Sequence, residues 1–125
     1  MRTDRRSLVS VVDDDESVRE SLPDLLHELG FAVKAFASAE AFLESGVVDE
    51  TRCLILDVAM PGMSGLELQL ELARRRHAVP IVFITAQHDR NLRPRVMALG
   101  AVDCLVKPFS ETALLEAVNT AIGRP

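Results

Sequence analysis

The segment CLILD at residues 53–57 decides the fold, because four consecutive apolar residues are followed directly by an acidic one. An apolar run without polar alternation is typical of a strand that is buried on both faces of a parallel sheet. The turn signal Pro61-Gly62 follows a few residues later and directs the chain away from that strand. We therefore predict a strand over residues 53–56, with Asp57 at its carboxyl end.

Four further apolar runs predict strands over residues 8–12, 32–36, 81–84 and 103–106. The segments between and after them carry apolar residues at helical spacing, and they predict helices over residues 17–29, 39–43, 65–76, 91–99 and 110–122. Ser38 is the predicted cap of the second helix. Strand and helix alternate five times, which predicts an α/β fold: a doubly wound, five-stranded parallel sheet with right-handed crossovers.

Two prolines conflict with this helix assignment. Pro23 lies inside the first predicted helix, and Pro94 lies inside the fourth. A proline in a helix interior costs about 3 kcal/mol unless it lies in the first turn. We expect the helix around Pro94 to start late or to be irregular.

Length and composition indicate one domain over residues 1–125, in a soluble cytoplasmic protein. The net charge of -5 argues against direct nucleic-acid contact. Cys53 and Cys104 lie in apolar runs without CxxC spacing, as expected for a reduced compartment. The basic segment 1–6 leads into an apolar stretch too short for a secretion signal or a membrane span.

Polar side chains follow four of the five predicted strands. They are Asp13 and Asp14 after the first strand, Asp57 after the third, Thr85 after the fourth and Lys107 after the fifth. The carboxyl ends of parallel strands lie side by side, and this edge is where open α/β sheets bind ligands. Adjacent carboxylates repel each other unless a cation relieves them, and Mg²⁺ prefers oxygen ligands. The alternative for the first pair is an acidic cap on the first helix.

The same residues predict phosphoryl chemistry at Asp57. A carboxylate can attack a phosphoryl group when a metal neutralises the incoming charge. Thr85 offers a hydroxyl donor and Lys107 a compact positive charge, and both suit phosphoryl oxygens. Pro108 allows a cis peptide bond that would fix the approach of the ammonium group. The alternative is a strand-end aspartate that bonds to its own turn.

The motifs VVDDDE (11–16), LILDVAMPGMSG (54–65), FITA (83–86) and KPF (107–109) together resemble a response regulator receiver domain of the FixJ type. The resemblance covers nearly the whole chain and implies a flavodoxin-like sheet of strand order 2-1-3-4-5. It implies that Asp57 is the phosphoacceptor and that Thr85 and Lys107 sense the phosphoryl group. It also implies Mg²⁺ held by Asp14, Asp57 and the Ala59 carbonyl, with Asp13 acting through water.

By the same resemblance, a sensor histidine kinase or phosphotransfer protein supplies the phosphoryl group, and phosphorylation switches an output surface. The expected role is transcription control through a C-terminal output domain not present here, with homodimerisation on phosphorylation as a possibility. Self-phosphorylation and slow dephosphorylation would be the chain's own reactions, so we expect a switch and not an enzyme. One alternative is a stand-alone receiver. Another is an aspartate-nucleophile phosphatase, although Ala59 stands where such enzymes usually carry a second acid. A third is a binding module that is not phosphorylated.

The chain departs from the receiver pattern at Cys104, three residues before the lysine, where many receivers carry Tyr or Phe. In those receivers the ring turns inward when the threonine moves toward the phosphoryl group. A small thiol cannot reproduce that movement. We therefore expect phosphorylation to shift the population between two conformations without rotation of a ring. Packing in the strand is the expected role of Cys104, with a reactive thiol as the alternative.

Three arginines on the segment before the fifth strand could meet an acidic partner, but a solvated face is the expected reading: Arg90, Arg93 and Arg95. Ala59 and Gln87 occupy positions that tune the lifetime of the acyl phosphate in this family. Neither side chain is acidic or basic, so the sequence predicts no particular lifetime.

Overall fold

A computed structural model describes residues 7–86 and 91–123 of the chain. The strands are β1 Leu8–Val12, β2 Ala32–Phe36, β3 Thr51–Asp57, β4 Ile81–Thr85 and β5 Asp103–Val106. The helices are α1 Glu16–Glu28, α2 Ala39–Glu44, α3 Gly65–Arg74, α4 Leu92–Ala98 and α5 Glu111–Ile122. The strands form one parallel sheet of order β2-β1-β3-β4-β5, which confirms the predicted fold and strand order.

The core consists of two layers, one on each face of the sheet. Alternate residues of β3 point to opposite layers: Leu54 and Leu56 pack in one, and Cys53 and Ile55 in the other. The first layer is closed by apolar residues of α2, α3 and α4, and the second by those of α1 and α5. Because all four of these β3 side chains are fully buried, the continuous apolar run is explained by burial on both faces.

Serine side chains begin three of the helices. The Oγ atoms of Ser38, Ser64 and Ser110 each accept a hydrogen bond from a backbone N–H of the first helical turn, which confirms the predicted cap at Ser38. At Ser64 the bond is reciprocated by Glu67, forming a capping box. These caps fix the points at which the chain leaves the carboxyl edge of the sheet.

The two prolines are accommodated differently. α1 continues through Pro23, so the expected conflict does not end that helix. Pro94 is the third residue of α4, which begins at Leu92, as expected for a late start. In the first turn a proline removes no helical hydrogen bond, because those N–H groups have no partner within the helix.

Across residues 7–86 and 91–123, no helix combines the length and the hydropathy needed to cross a bilayer.

Candidate functional site

Three carboxylates meet at the carboxyl edge of the two central strands. Asp13 and Asp14 directly follow β1, Asp57 is the last residue of β3, and the two strands are paired with Val12 opposite Leu56. One carboxylate oxygen from each of the three acids lies within 4.8 Å of the other two. Asp13 is fully buried, Asp57 is nearly so and Asp14 is exposed. This edge between β1 and β3 is the point where the order of the sheet reverses, the usual ligand site of such folds.

Lys107 brings a positive charge to the acids from the far edge of the sheet. Its Nζ lies 3.1 Å from Oδ2 of Asp13 and 4.0 Å from Oδ1 of Asp57. Its backbone N–H donates to the Thr85 carbonyl at 2.8 Å, and the Lys107–Pro108 peptide bond is cis. The hydrogen bond to Thr85 fixes the backbone from which the ammonium group reaches the acids.

Thr85 is the last residue of β4 and is almost fully buried. It lies one residue beyond Ile84, the strand partner of Asp57. The predicted hydroxyl donor is thus carried by the strand next to the predicted phosphoacceptor.

The pKa of Asp57 is raised from its ordinary value to about 6. Burial is the largest cause, and repulsion from Asp13 and Asp14 adds to it. The ammonium group of Lys107 and a hydrogen bond from the Val58 N–H act in the opposite direction and do not cancel the shift. The ionised site therefore carries more negative charge than its one lysine offsets.

This donor set fits a divalent cation. The three side chains offer hard oxygen ligands within reach of one ion, and their mutual repulsion is the condition that a cation relieves. The structure thus provides an acidic pocket that could bind a metal. Ala59 lies on the exposed loop two residues after Asp57, where its carbonyl remains a predicted ligand.

The loop after Asp57 depends on Gly65, the first residue of the helix predicted over residues 65–76. Gly65 N–H donates to the Val58 carbonyl at 2.9 Å, and a Cβ on Gly65 would lie 2.3 Å from the Asp57 carbonyl oxygen. A side chain there would displace the backbone of Asp57, the predicted phosphoacceptor. The available signal was a poor helix former directly after the Ser64 cap. Glu40 of α2 also holds this loop, because its Oε2 accepts from the Met63 N–H at 3.2 Å.

Two contacts that the sequence did not reveal hold Asp13 in place. The Asp15 N–H donates to Oδ1 of Asp13 at 2.9 Å, and a guanidinium N–H of Arg19 donates to its carbonyl oxygen at 3.0 Å. Oδ2 of Asp13 is left to face Lys107. Arg19 stands one helical turn into α1, and nothing in the local sequence marks it as part of the site.

Cys104 packs on β5 as expected, in the same core cluster as Phe83 and Val96. Burial raises the pKa of its thiol, which opposes formation of the reactive thiolate. Arg95 is exposed, in keeping with a solvated face. Arg93 is also exposed, and its guanidinium pairs with Asp103. Arg90 and Gln87 lie outside the described residues.

With the fold and the site established, the family follows. Residues 9–119 match the model of the response regulator receiver domain, and the chain belongs to this family. It is similar to nodulation protein W of Bradyrhizobium diazoefficiens, at 48% identity over 95% of this chain and 52% of that protein. It is also similar to the transcriptional regulatory protein FixJ of Azorhizobium caulinodans, at 46% identity over 93% of this chain and 55% of that protein.

Solved structures agree with this assignment. The response regulator StyR matches with a TM-score of 0.87 at 48% identity, over 94% of this chain and 59% of that one. The FixJ-N structure matches with a TM-score of 0.85 at 39% identity, over 99% of this chain and 98% of that one. The predicted receiver fold and the FixJ-like relationship are therefore confirmed. The chain spans about half the length of the curated relatives it matches.

Proposed function

We propose that this receiver domain accepts a phosphoryl group on Asp57 from a sensor histidine kinase or phosphotransfer protein of a two-component system. Response regulators of such systems interact with histidine kinases, and the chain is homologous to these response regulators. The observation that carries the proposal is the cluster of Asp57 with Asp13, Asp14 and Lys107 at one strand edge. A carboxylate held between other acids and a lysine has the surroundings that an aspartyl phosphate requires.

The transfer is a nucleophilic substitution at phosphorus. A carboxylate oxygen of Asp57 forms a bond to the phosphorus atom of a phosphohistidine, and the P–N bond breaks. The electron pair of the P–N bond goes to the leaving imidazole nitrogen, which takes up a proton from water. The product is an acyl phosphate on Asp57. The Lys107 ammonium group offsets charge on the phosphoryl oxygens, and the Thr85 hydroxyl donates to one of them.

Mg²⁺ is the cation that we assign to the acidic pocket. Asp14, Asp57 and the Ala59 carbonyl would hold it, with Asp13 acting through water. When bound, it supplies positive charge against the oxygens of the carboxylates and the phosphoryl group. The raised pKa of Asp57 is consistent with this assignment, since burial is joined by repulsion from Asp13 and Asp14, which a cation would relieve.

The chain acts as a switch and not as an enzyme with turnover. An aspartate-nucleophile phosphatase needs a general acid for the leaving group, and Ala59 offers a methyl group at the position where that acid usually stands. Self-phosphorylation and slow dephosphorylation are its own reactions.

The output is transcription control through a C-terminal domain. The support is that relatives about twice as long as this chain are named transcriptional regulatory proteins. The net charge of -5 supports a receiver that does not itself contact nucleic acid. The two free, buried cysteines support a cytoplasmic location. Phosphorylation promotes a homodimer, and sedimentation velocity of treated and untreated protein tests this: monomers in both samples would contradict it.

The central test is covalent labelling. Wild-type protein and Asp57→Asn are incubated with acetyl phosphate and Mg²⁺, and each is measured by intact-mass spectrometry. We expect phosphorylation of the wild type, none of Asp57→Asn, and wild-type labelling of Asp24→Asn, whose carboxylate is exposed on α1. Labelling of Asp57→Asn at the wild-type level would refute the proposal. Sustained hydrolysis of p-nitrophenyl phosphate by the wild type would instead indicate a phosphatase.

A further inference from the structure

Side chains cover the open edge of the sheet at Cys104. β5 is an edge strand, so part of its backbone faces away from β4. The Cys104 N–H donates to Oδ1 of Asp103 at 2.8 Å, and the Cys104 carbonyl accepts from the guanidinium of Arg93 at 3.0 Å. Both backbone polar groups of this residue are thus satisfied by side chains.

The same guanidinium nitrogen of Arg93, Nη1, also donates to Oδ1 of Asp103 at 2.6 Å. Arg93 is the second residue of α4, whereas Asp103 and Cys104 belong to β5. These contacts, which we call the Arg93 bridge, fasten the first turn of α4 to the sheet edge. The Arg93 side chain is 57% exposed and that of Asp103 is 27% exposed, so the bridge lies at the surface where it can open.

We infer that Arg93 is a positioning residue: the Arg93 bridge holds the first turn of α4 against β5 and opposes activation. The inference rests on the proposed function. A phosphoryl group on Asp57 adds about two negative charges and draws the Thr85 hydroxyl toward it. α4 follows Thr85 along the chain, so we expect activation to move the first turn of α4 relative to β5. Movement of that turn away from β5 would strain both contacts of Arg93.

The Arg93 bridge contacts the backbone of Cys104, the residue at which the chain departs from the receiver pattern. A ring at this position would couple the motion of the threonine to β5 by changing the volume it fills, and a thiol cannot do so. The ionic contact instead joins α4 and β5 directly, on the backbone of that same residue. A purely protective role, in which charged side chains only shield an edge strand from pairing, predicts no effect on activation.

The experiment measures how tightly each variant binds a phosphoryl analogue that stabilises the activated state. Beryllofluoride with excess Mg²⁺ serves as the probe, and its apparent Kd is obtained from amide NMR shifts. The variants are Arg93→Ala, Arg93→Lys, Asp103→Asn and the double variant Arg93→Ala/Asp103→Asn. Arg95→Ala is the matched control, because Arg95 is an exposed arginine of the same helix.

We expect Arg93→Ala to lower the apparent Kd by about three- to tenfold. Without the bridge, a larger fraction of the protein would occupy the conformation that binds the probe, and the apparent affinity rises with that fraction. Asp103→Asn should act in the same direction, and the double variant should add little to either. Arg93→Lys, which keeps the charge, should lie nearer to the wild type, and Arg95→Ala should match it.

Three results would overturn the inference: an apparent Kd within twofold of the wild type for Arg93→Ala, an increased Kd, or strictly additive effects in the double variant. A lower Tm of Arg93→Ala with an unchanged Kd would show a structural role only. Failure of the proposed function is separate from these outcomes, because it would show as a wild type that binds no beryllofluoride and is not labelled at Asp57.

Discussion

Replacing Asp57 with asparagine should make the metal-free protein more stable at neutral pH, although it removes the proposed phosphoacceptor. The pKa of Asp57 is raised to about 6, first by burial and then by repulsion from Asp13. A raised carboxyl pKa means that the folded state favours the protonated form. At pH 7.5 or so the ionised side chain therefore destabilises the fold, and asparagine removes that charge with little change of shape.

The magnitude follows from the shift. The rise from 3.8 to about 6 corresponds to at most about 3 kcal/mol, since one pK unit is about 1.4 kcal/mol. The pocket is open to water and salt at Asp14, so we expect about 1 to 2 kcal/mol. The contribution of protonated Asp57 is fully present below about pH 4 and is lost as the pH rises through 6. The stability gap between Asp57→Asn and the wild type should therefore be near zero at about pH 4 and largest above pH 7.

Urea unfolding followed by circular dichroism measures this gap, because the chain contains neither Trp nor Tyr for fluorescence. Both proteins are unfolded without divalent ions at several pH values, with Asp24→Asn as a control for the loss of an exposed carboxylate. Added Mg²⁺ should stabilise the wild type more than Asp57→Asn and so reduce the gap. A pH-independent gap, or an Asp57→Asn variant less stable than the wild type at neutral pH, would refute the electrostatic reasoning.

Three further changes test the site and the sheet that carries it. Gly65→Ala should lower the free energy of unfolding by about 2 to 4 kcal/mol, because its Cβ would lie 2.3 Å from the Asp57 carbonyl oxygen. Gly123→Ala is the control and should cost little, and equal urea midpoints for the two variants would contradict the prediction. Lys107→Met should destabilise the metal-free protein by about 1 to 3 kcal/mol, because Asp13 loses the ammonium group that lies 3.1 Å away. Mg²⁺ should restore part of this stability in the same unfolding assay, and an unchanged free energy of unfolding would show that the ion pair is not stabilising. Ser10→Ala should cost about 1 kcal/mol by removing the buried hydrogen bond to Thr51 at 2.8 Å, and unchanged unfolding would refute that role.

The sequence predicts the sheet well because the strands are apolar on both faces. The limits of β1, β2 and β5 agree with the predicted ranges. β3 starts two residues earlier than predicted, at Thr51, because a polar residue there is buried against Ser10 of the neighbouring strand. A tertiary hydrogen bond of this kind offsets the cost of burying a hydroxyl group, and no local pattern reveals it.

The same limit applies to the site. Acids and a lysine at strand ends are visible in the sequence because parallel strands bring their carboxyl ends together. The contact of Arg93 with Asp103 is not visible, because the two residues are ten positions apart and lie on different elements. The steric role of Gly65 is likewise hidden, since it depends on the carbonyl of Asp57 approaching the first turn of α3.

The position of Lys107 explains how one cation can serve the site without blocking it. Its Nζ is nearer to Asp13, at 3.1 Å, than to Asp57, at 4.0 Å. The ammonium group therefore pairs mainly with the buried Asp13, whereas Asp57 keeps a raised pKa and lies farther from the lysine. A lysine bonded closely to Asp57 would stabilise the fold more but would lower the nucleophilicity of the group that must attack phosphorus. Burial and the neighbouring acids raise the pKa of Asp57, and the 4.0 Å distance to Lys107 leaves that rise in place, so the raised pKa and the proposed reactivity both depend on this distance.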